Sequence, residues 1–216
     1  MMHAPSLFRL REPLVLASAS PRRREFLTQL GIECRFAAPP DHAEPSPLPG
    51  ENPAAFAARA ARAKAESVRE TLGGEVAVLG ADTVVYHEDV ILGKPRNAAE
   101  ALAFLEDISG RAHYVRTACH LFRARSECGA FSTDAGISFF GEAEVTMGAW
   151  PRETLMAYAA TGEGLDKAGG YAVQGLGSFL VTAVHGSWSA VIGLPVAETV
   201  RALLDAGVIE VAPSNP

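Results

Sequence analysis

Absences set the first bounds on this chain. Its 216 residues include three cysteines, Cys34, Cys119 and Cys128, an odd number with no CxxC pairing. That usage fits a reducing compartment and excludes a structural zinc site built on thiolate pairs. Long apolar runs are also missing. No uninterrupted stretch approaches the length that spans a bilayer, and the short run after Pro13 leads into arginines rather than a small-residue cleavage site. The expectation is a cytoplasmic protein with no membrane partner. Positive charge is in deficit, with 19 Lys and Arg against 25 Asp and Glu, a net charge of -6. A general nucleic-acid binder would be basic overall, so that class is excluded. No GxxxxGK[ST], HExxH or GxSxG motif occurs, and the six histidines show no metal-ligand spacing.

What is present suits one globular domain, with two lobes allowed by the length. Hydrophobic residues make up 48% and charged ones 20%, and the chain is long enough to bury a sizeable core. Residues 1–12 read as a flexible N-terminus, 13–209 as the domain and 210–216 as a flexible tail.

The organising stretch is Leu14-Val15-Leu16-Ala17-Ser18-Ala19-Ser20-Pro21-Arg22-Arg23-Arg24. A short strand breaks into small hydroxylated residues, and a helix follows over 22–30. Ser20 is a good N-cap and Pro21 takes the first helical position, where its missing N–H costs nothing. Three arginines in a first helical turn meet the positive end of the helix dipole and are mildly destabilising. A bound anion reverses that sign. The alternative is that the arginines fan out into solvent.

Further along, 33–37 reads as a second strand, followed by a proline-rich loop over 39–50 that can hold Glu44 at the edge of a cleft. Asn52 and Pro53 start a long helix that ends at Gly73-Gly74, with Phe56, Ala60 and Ala63 on its apolar face and Lys64 at the edge, where a lysine can simply snorkel. A strand over 76–79 is expected to end at Gly80-Ala81-Asp82-Thr83, with a second apolar run at 84–86, a turn at His87-Glu88-Asp89 and a return strand at 90–92. An Asp between two hydrophobic runs is costly to bury unless paired or metal-bound, or it caps its own turn. Asn97 and Glu100 form a capping box for the next helix. Residues 114–122 and 136–147 read as long strands with a polar excursion, 123–135, between them. A short helix over 151–160, a loop over 165–175 that enters a strand, a hairpin of 179–184 with 190–192, and a helix bearing Val196, Val200, Leu203 and Leu204 complete the chain. Helices interleave with strands, so the class is α/β or α+β with a mixed sheet.

The cations Arg22, Arg23, Lys64, Lys94 and Lys167 and the acids Glu44, Asp82 and Asp166 fall at strand ends and loop–helix joints. Cations that cradle phosphates and carboxylates that hold a hard divalent metal or activate water are the parts of phosphate-anhydride chemistry.

Six motifs occur in order: Ser18-Ala19-Ser20-Pro21-Arg22-Arg23, Gly80-Ala81-Asp82-Thr83-Val84-Val85, Gly93-Lys94-Pro95, Ser109-Gly110-Arg111, Asp166-Lys167-Ala168-Gly169-Gly170-Tyr171-Ala172-Val173-Gln174-Gly175 and Val191-Ile192-Gly193-Leu194-Pro195. Together they resemble the Maf family of nucleoside triphosphate pyrophosphatases over nearly the whole chain. The resemblance implies a twisted mixed sheet flanked by helices, two lobes around a deep cleft, and a fold related to inosine-triphosphate pyrophosphatases. It implies cleavage between the α and β phosphates of a nucleoside triphosphate with a divalent cation, Mg2+ or Mn2+. By the same resemblance Asp82 is the proton acceptor and Arg22, Lys64 and Lys94 are phosphate-side residues. Glu44 and Asp82 then serve the metal, while Arg23, Thr83 and Gln174 bear on base selection, with Ser18, Asp166 and Lys167 beside the substrate. Tyr171 and Gln174 after Asp166-Lys167 resemble members acting on dTTP and UTP, and a Gln amide can donate and accept to a uracil or thymine edge. Modified pyrimidine nucleotides remain open as substrates, as does a homodimer. A non-catalytic nucleotide-binding regulator of septum formation is the alternative. Two departures from the family pattern stand out: Ala43 precedes Glu44 where two adjacent acids are common, and the 123–142 segment is longer than usual.

Overall fold

The structure is a computed structural model that describes residues 6–124 and 135–213. In chain order the elements are β1 (Phe8–Leu10), β2 (Leu14–Ala17), α1 (Pro21–Gln29), β3 (Arg35–Ala37), α2 (Pro53–Thr71), β4 (Ala77–His87), β5 (Val90–Leu92), α3 (Ala98–Ile108), β6 (Ala112–Phe122), β7 (Ile137–Met147), α4 (Arg152–Ala160), β8 (Val181–Gly186), α5 (Trp188–Ile192), α6 (Val196–Asp205) and β9 (Ile209–Val211). Short 3₁₀ turns cover Asp41–Ala43, Ala168–Gly170 and Leu176–Leu180.

Local chemistry sets several of these boundaries. The Asn52 side chain accepts from the Ala54 amide at 2.8 Å, and Pro53 opens α2. Asn97 accepts from the Glu100 amide at 3.0 Å, but the Glu100 carboxylate turns to the Arg96 amide at 2.6 Å, so the capping box is made on one side only. Ser20 occupies the N-cap of α1 without a side-chain cap bond; the hydroxyl of Ser18 accepts from the Ser20 amide instead, at 3.1 Å.

The main sheet has the order β3-β2-β4-β6-β7-β8, with β5 also paired to β4. The β2–β3 and β2–β4 pairings are parallel and the others antiparallel, giving a mixed α/β sheet. Four expectations are corrected. The 76–79 strand does not end at Gly80 but runs on through Asp82 to His87, because β6 pairs with it from Val78 to Tyr86. Phe8–Leu10, read as part of a flexible terminus, pairs antiparallel with Ile209–Val211, which also takes 210–211 out of the flexible tail. The hairpin of 179–184 with 190–192 does not form: β8 pairs with β7, and Trp188–Ile192 is helical. The 165–175 loop leads into a 3₁₀ turn rather than a strand. Most of the 123–135 excursion lies outside the described residues. Among the described residues no helix is long and apolar enough to cross a membrane.

β4 is flanked unevenly, and this positions the site. β6 covers one edge along most of its length. On the other edge, β2 ends opposite Gly80 and β5 pairs only with residues 85–87, so residues 81–84 have no strand beside them there. Two apolar cores lie to either side of the same gap. One gathers Leu14, Leu27, Leu79, Ala81, Cys119 and Leu121; the other gathers Val85, Leu105, Val115, Val145, Leu155 and Tyr171. On that face of the sheet the residues between the cores are polar or small: Thr83 on β4, its neighbour Thr117 on β6, and Gly141 opposite Thr117 on β7.

Candidate active site

The gap in the sheet opens into a cleft of about 540 Å³. Its lining includes Ser18, Arg22, Arg23, Glu44, Lys64, Asp82, Thr83, Lys94, Asp166, Lys167 and Gln174, so every residue singled out in the sequence reaches one hollow. The start of α1 and the acid in the middle of β4 therefore share a wall. Ligand crevices lie at such points in α/β sheets, where neighbouring strands part.

Side chains alternate across a strand, so Asp82 and Thr83 leave β4 on opposite faces. Both line the cleft because the open edge lets it wrap around the strand. On the Asp82 face, α2 lies close over β4: Gly80 and the fully buried Ala57, Ala61 and Ala65 leave little between the two backbones. Lys64 is thereby carried to Asp82, with Nζ 2.6 Å from Oδ1, and the same Nζ lies 3.1 Å from Oε1 of Glu44. The snorkelling alternative for Lys64 is set aside, since its side chain is only 11% exposed. The second oxygen of Asp82 has no hydrogen-bond partner among the described residues. Burial works against the charge on Glu44, but Lys64 and then Lys94, 3.9 Å away, outweigh it and hold its pKa below the ordinary value.

On the Thr83 face, Arg23 is clamped. Its Nε donates to the Gly193 carbonyl at 2.7 Å, Nη1 to Ser18 Oγ at 3.2 Å and Nη2 to Thr83 Oγ1 at 3.0 Å. The residue as a whole is half-buried, but these partners enclose the guanidinium. Burial pulls its pKa down while the Asp82 carboxylate acts in the opposite sense. Arg22, by contrast, makes no hydrogen bond or ion pair with the described residues and is free for a ligand. Opposite α1, Lys167 donates from Nζ to the Glu163 carbonyl at 2.7 Å and to the Asp166 carboxylate, which holds the Asp166 pKa below its ordinary range. The Glu163 carboxylate accepts from the Leu176 and Gly177 amides, each at 2.8 Å, and so ties down the chain beyond Gln174.

Two carboxylates that share one ammonium, beside a set of cations, have the hard oxygen donors that a Mg2+-class ion takes together with substrate phosphates and water. Among the described residues no group of three or more His, Cys, Asp or Glu is placed to cage a metal alone. A metal here would therefore lean on the substrate for its remaining ligands. Sequence reasoning missed three supports that lie behind the site residues: the Gly193 carbonyl on Arg23, Thr117 on Thr83, and Glu163 on the chain beyond Gln174. Thr117 sits in an apolar strand between Arg116 and Ala118 with no local mark of function.

The family model described as Maf-like protein matches residues 13–206. A dTTP/UTP pyrophosphatase of Nitratidesulfovibrio vulgaris is 46% identical over 94% of this chain and 91% of its own length. One from Desulfotalea psychrophila is 40% identical over 95% of this chain and 100% of its own. Among solved structures, the Staphylococcus aureus Ham1 protein covers 64% of this chain and 73% of its own at 12% identity and a TM-score of 0.42.

Proposed function

This chain belongs to the Maf family, and from that premise we propose that it hydrolyses dTTP and UTP to the nucleoside monophosphate and pyrophosphate. The observation that carries the reading is the convergence of Arg22, Lys64 and Lys94 with the Glu44 and Asp82 carboxylates in one cleft. Its relatives' names support the substrate class. Water attacks the α phosphorus, the bond from that phosphorus to the bridging oxygen breaks, and pyrophosphate departs with that oxygen. Asp82 orients the water through the oxygen that Lys64 does not hold and takes its proton. Arg22, Lys64 and Lys94 neutralise charge on the phosphate oxygens. A divalent cation, Mg2+ or Mn2+, would be held by Glu44 and Asp82 and would supply charge neutralisation at the departing phosphates. Arg23, Thr83 and Gln174 face the base, with Ser18, Asp166 and Lys167 completing the substrate wall. Free, buried thiols at Cys34 and Cys119 support a cytoplasmic setting.

The test is turnover of a nucleotide panel in 18O-labelled water with Mg2+ or Mn2+. The reading expects monophosphate and pyrophosphate from dTTP and UTP, with the label in the monophosphate. Diphosphate and inorganic phosphate as products would overturn it. Tight binding without any turnover would favour the nucleotide-binding regulator.

A further inference from the structure

We propose that Thr117, which lies behind the cleft wall, sets the hydrogen-bond polarity with which that wall meets a nucleobase. The inference rests on the nucleotide reading above and deepens it. Thr117 is fully buried, and its Oγ1 lies 2.7 Å from the carbonyl oxygen of Ala190. A carbonyl only accepts, so the single hydroxyl proton of Thr117 is committed there. Thr83 Oγ1 lies 2.8 Å from Thr117 Oγ1. With the Thr117 proton spent, Thr83 must be the donor in that pair. The Thr83 oxygen also accepts from Nη2 of Arg23. One lone pair then remains, and Thr83 faces a ligand as an acceptor only.

Ser18 is the mirror case. Its Oγ accepts from the Ser20 amide and from Nη1 of Arg23, which uses both lone pairs and leaves the proton. Ser18 therefore faces a ligand as a donor. Arg23 joins the two hydroxyls, so the wall offers a donor and an acceptor in fixed positions. A uracil or thymine edge carries a carbonyl beside an N–H, which matches that order. Cytosine carries an amino group beside a bare ring nitrogen and reverses it at both positions. The order originates at Thr117, and Gly141 makes room for it. A Cβ there would lie 2.6 Å from Cβ of Pro195 and 3.1 Å from Cβ of Ala190, so a side chain would press on the residue that presents its carbonyl to Thr117.

The experiment compares kcat/KM for UTP and CTP in the wild type, Thr117→Val and Thr117→Ser. In Thr117→Val the Thr83 proton is released to point at a ligand, and the UTP-over-CTP ratio should fall roughly tenfold. The fall should come through KM, with kcat on UTP held within about threefold. Thr117→Ser keeps the hydroxyl and should keep the wild-type ratio. An unchanged ratio in a folded Thr117→Val protein overturns the proposal. If that variant does not fold, Thr117→Cys, nearly the same size and a weak hydrogen bonder, takes its place with the same expectation and the same overturning result. A wild type that hydrolyses neither nucleotide would overturn the nucleotide reading itself, an outcome distinct from unchanged variants of an active enzyme.

Discussion

A Cβ atom on Gly80 would lie 2.8 Å from the backbone nitrogen of Ala65, and closer still to the carbonyl oxygen of Ala61. Both neighbours are helix backbone and cannot give way as a flexible side chain would. The bare glycine is therefore what lets α2 lie near enough for Lys64 to reach Asp82. Gly80→Ala is expected to push the helix away, at a cost of roughly 1–3 kcal/mol and several degrees in Tm. Turnover should fall more than the residual folding accounts for, because the Lys64–Asp82 contact is lost. Thermal unfolding and kcat measured on one preparation check this.

Asp82→Asn removes the proton acceptor and keeps the shape. A loss of roughly 10²–10⁴-fold in kcat is expected, with the Kd for UTP nearly unchanged. Full turnover in the folded variant would take Asp82 out of its role.

Glu44→Gln weakens the oxygen donor set at the mouth of the cleft. The Mg2+ concentration for half-maximal activity should rise by about tenfold or more, while the rate at saturating metal changes less. Chelation by EDTA should abolish wild-type turnover, and added Mg2+ or Mn2+ should restore it. Activity that is indifferent to EDTA would remove the metal from the reaction.

His113 is fully buried and its Nε2 lies 2.6 Å from the hydroxyl of Tyr171, which lines the cleft. Burial pushes its pKa down to about 4 from an ordinary 6.5. Between those values the unfolded chain binds a proton that the folded chain refuses. This contribution to stability is therefore fully present above about pH 6.5 and drains away as pH falls towards 4. Tm should drop over that window, and His113→Gln should flatten the slope there.

Local signals in the sequence carried the helix starts at Asn52-Pro53 and Asn97, the buried strand Leu14–Ala17 and the long β6–β7 pair, since caps, prolines and apolar runs act over a few residues. Gly80 and Asp82 hid the continuity of β4, because each breaks the apolar pattern while β6 supplies the pairing that keeps the strand going. Residues 190–192 read as a strand, yet they fold within the helical turn Trp188–Ile192 over Gly141, a choice made by packing. Phe8–Leu10 finds its partner almost the whole chain away, and no nearby residue announces it. The same holds at the site. Lys64 could be placed at the edge of an alanine face, but its contact with Asp82 depends on how closely helix and strand approach. Thr117 matters only through neighbours on β4 and α5.

β4, β6 and β7 are each eleven residues long and pass without a break from one apolar core to the other. Two halves joined by three paired strands cannot swing like jaws on a hinge, because bending would tear the ladder between Thr83 and Thr117. Adjustment to an arriving molecule falls instead to the rim, where the proline-rich stretch bearing Glu44 lies outside the sheet. The floor is ready-made, and little of the binding energy is spent on shaping it.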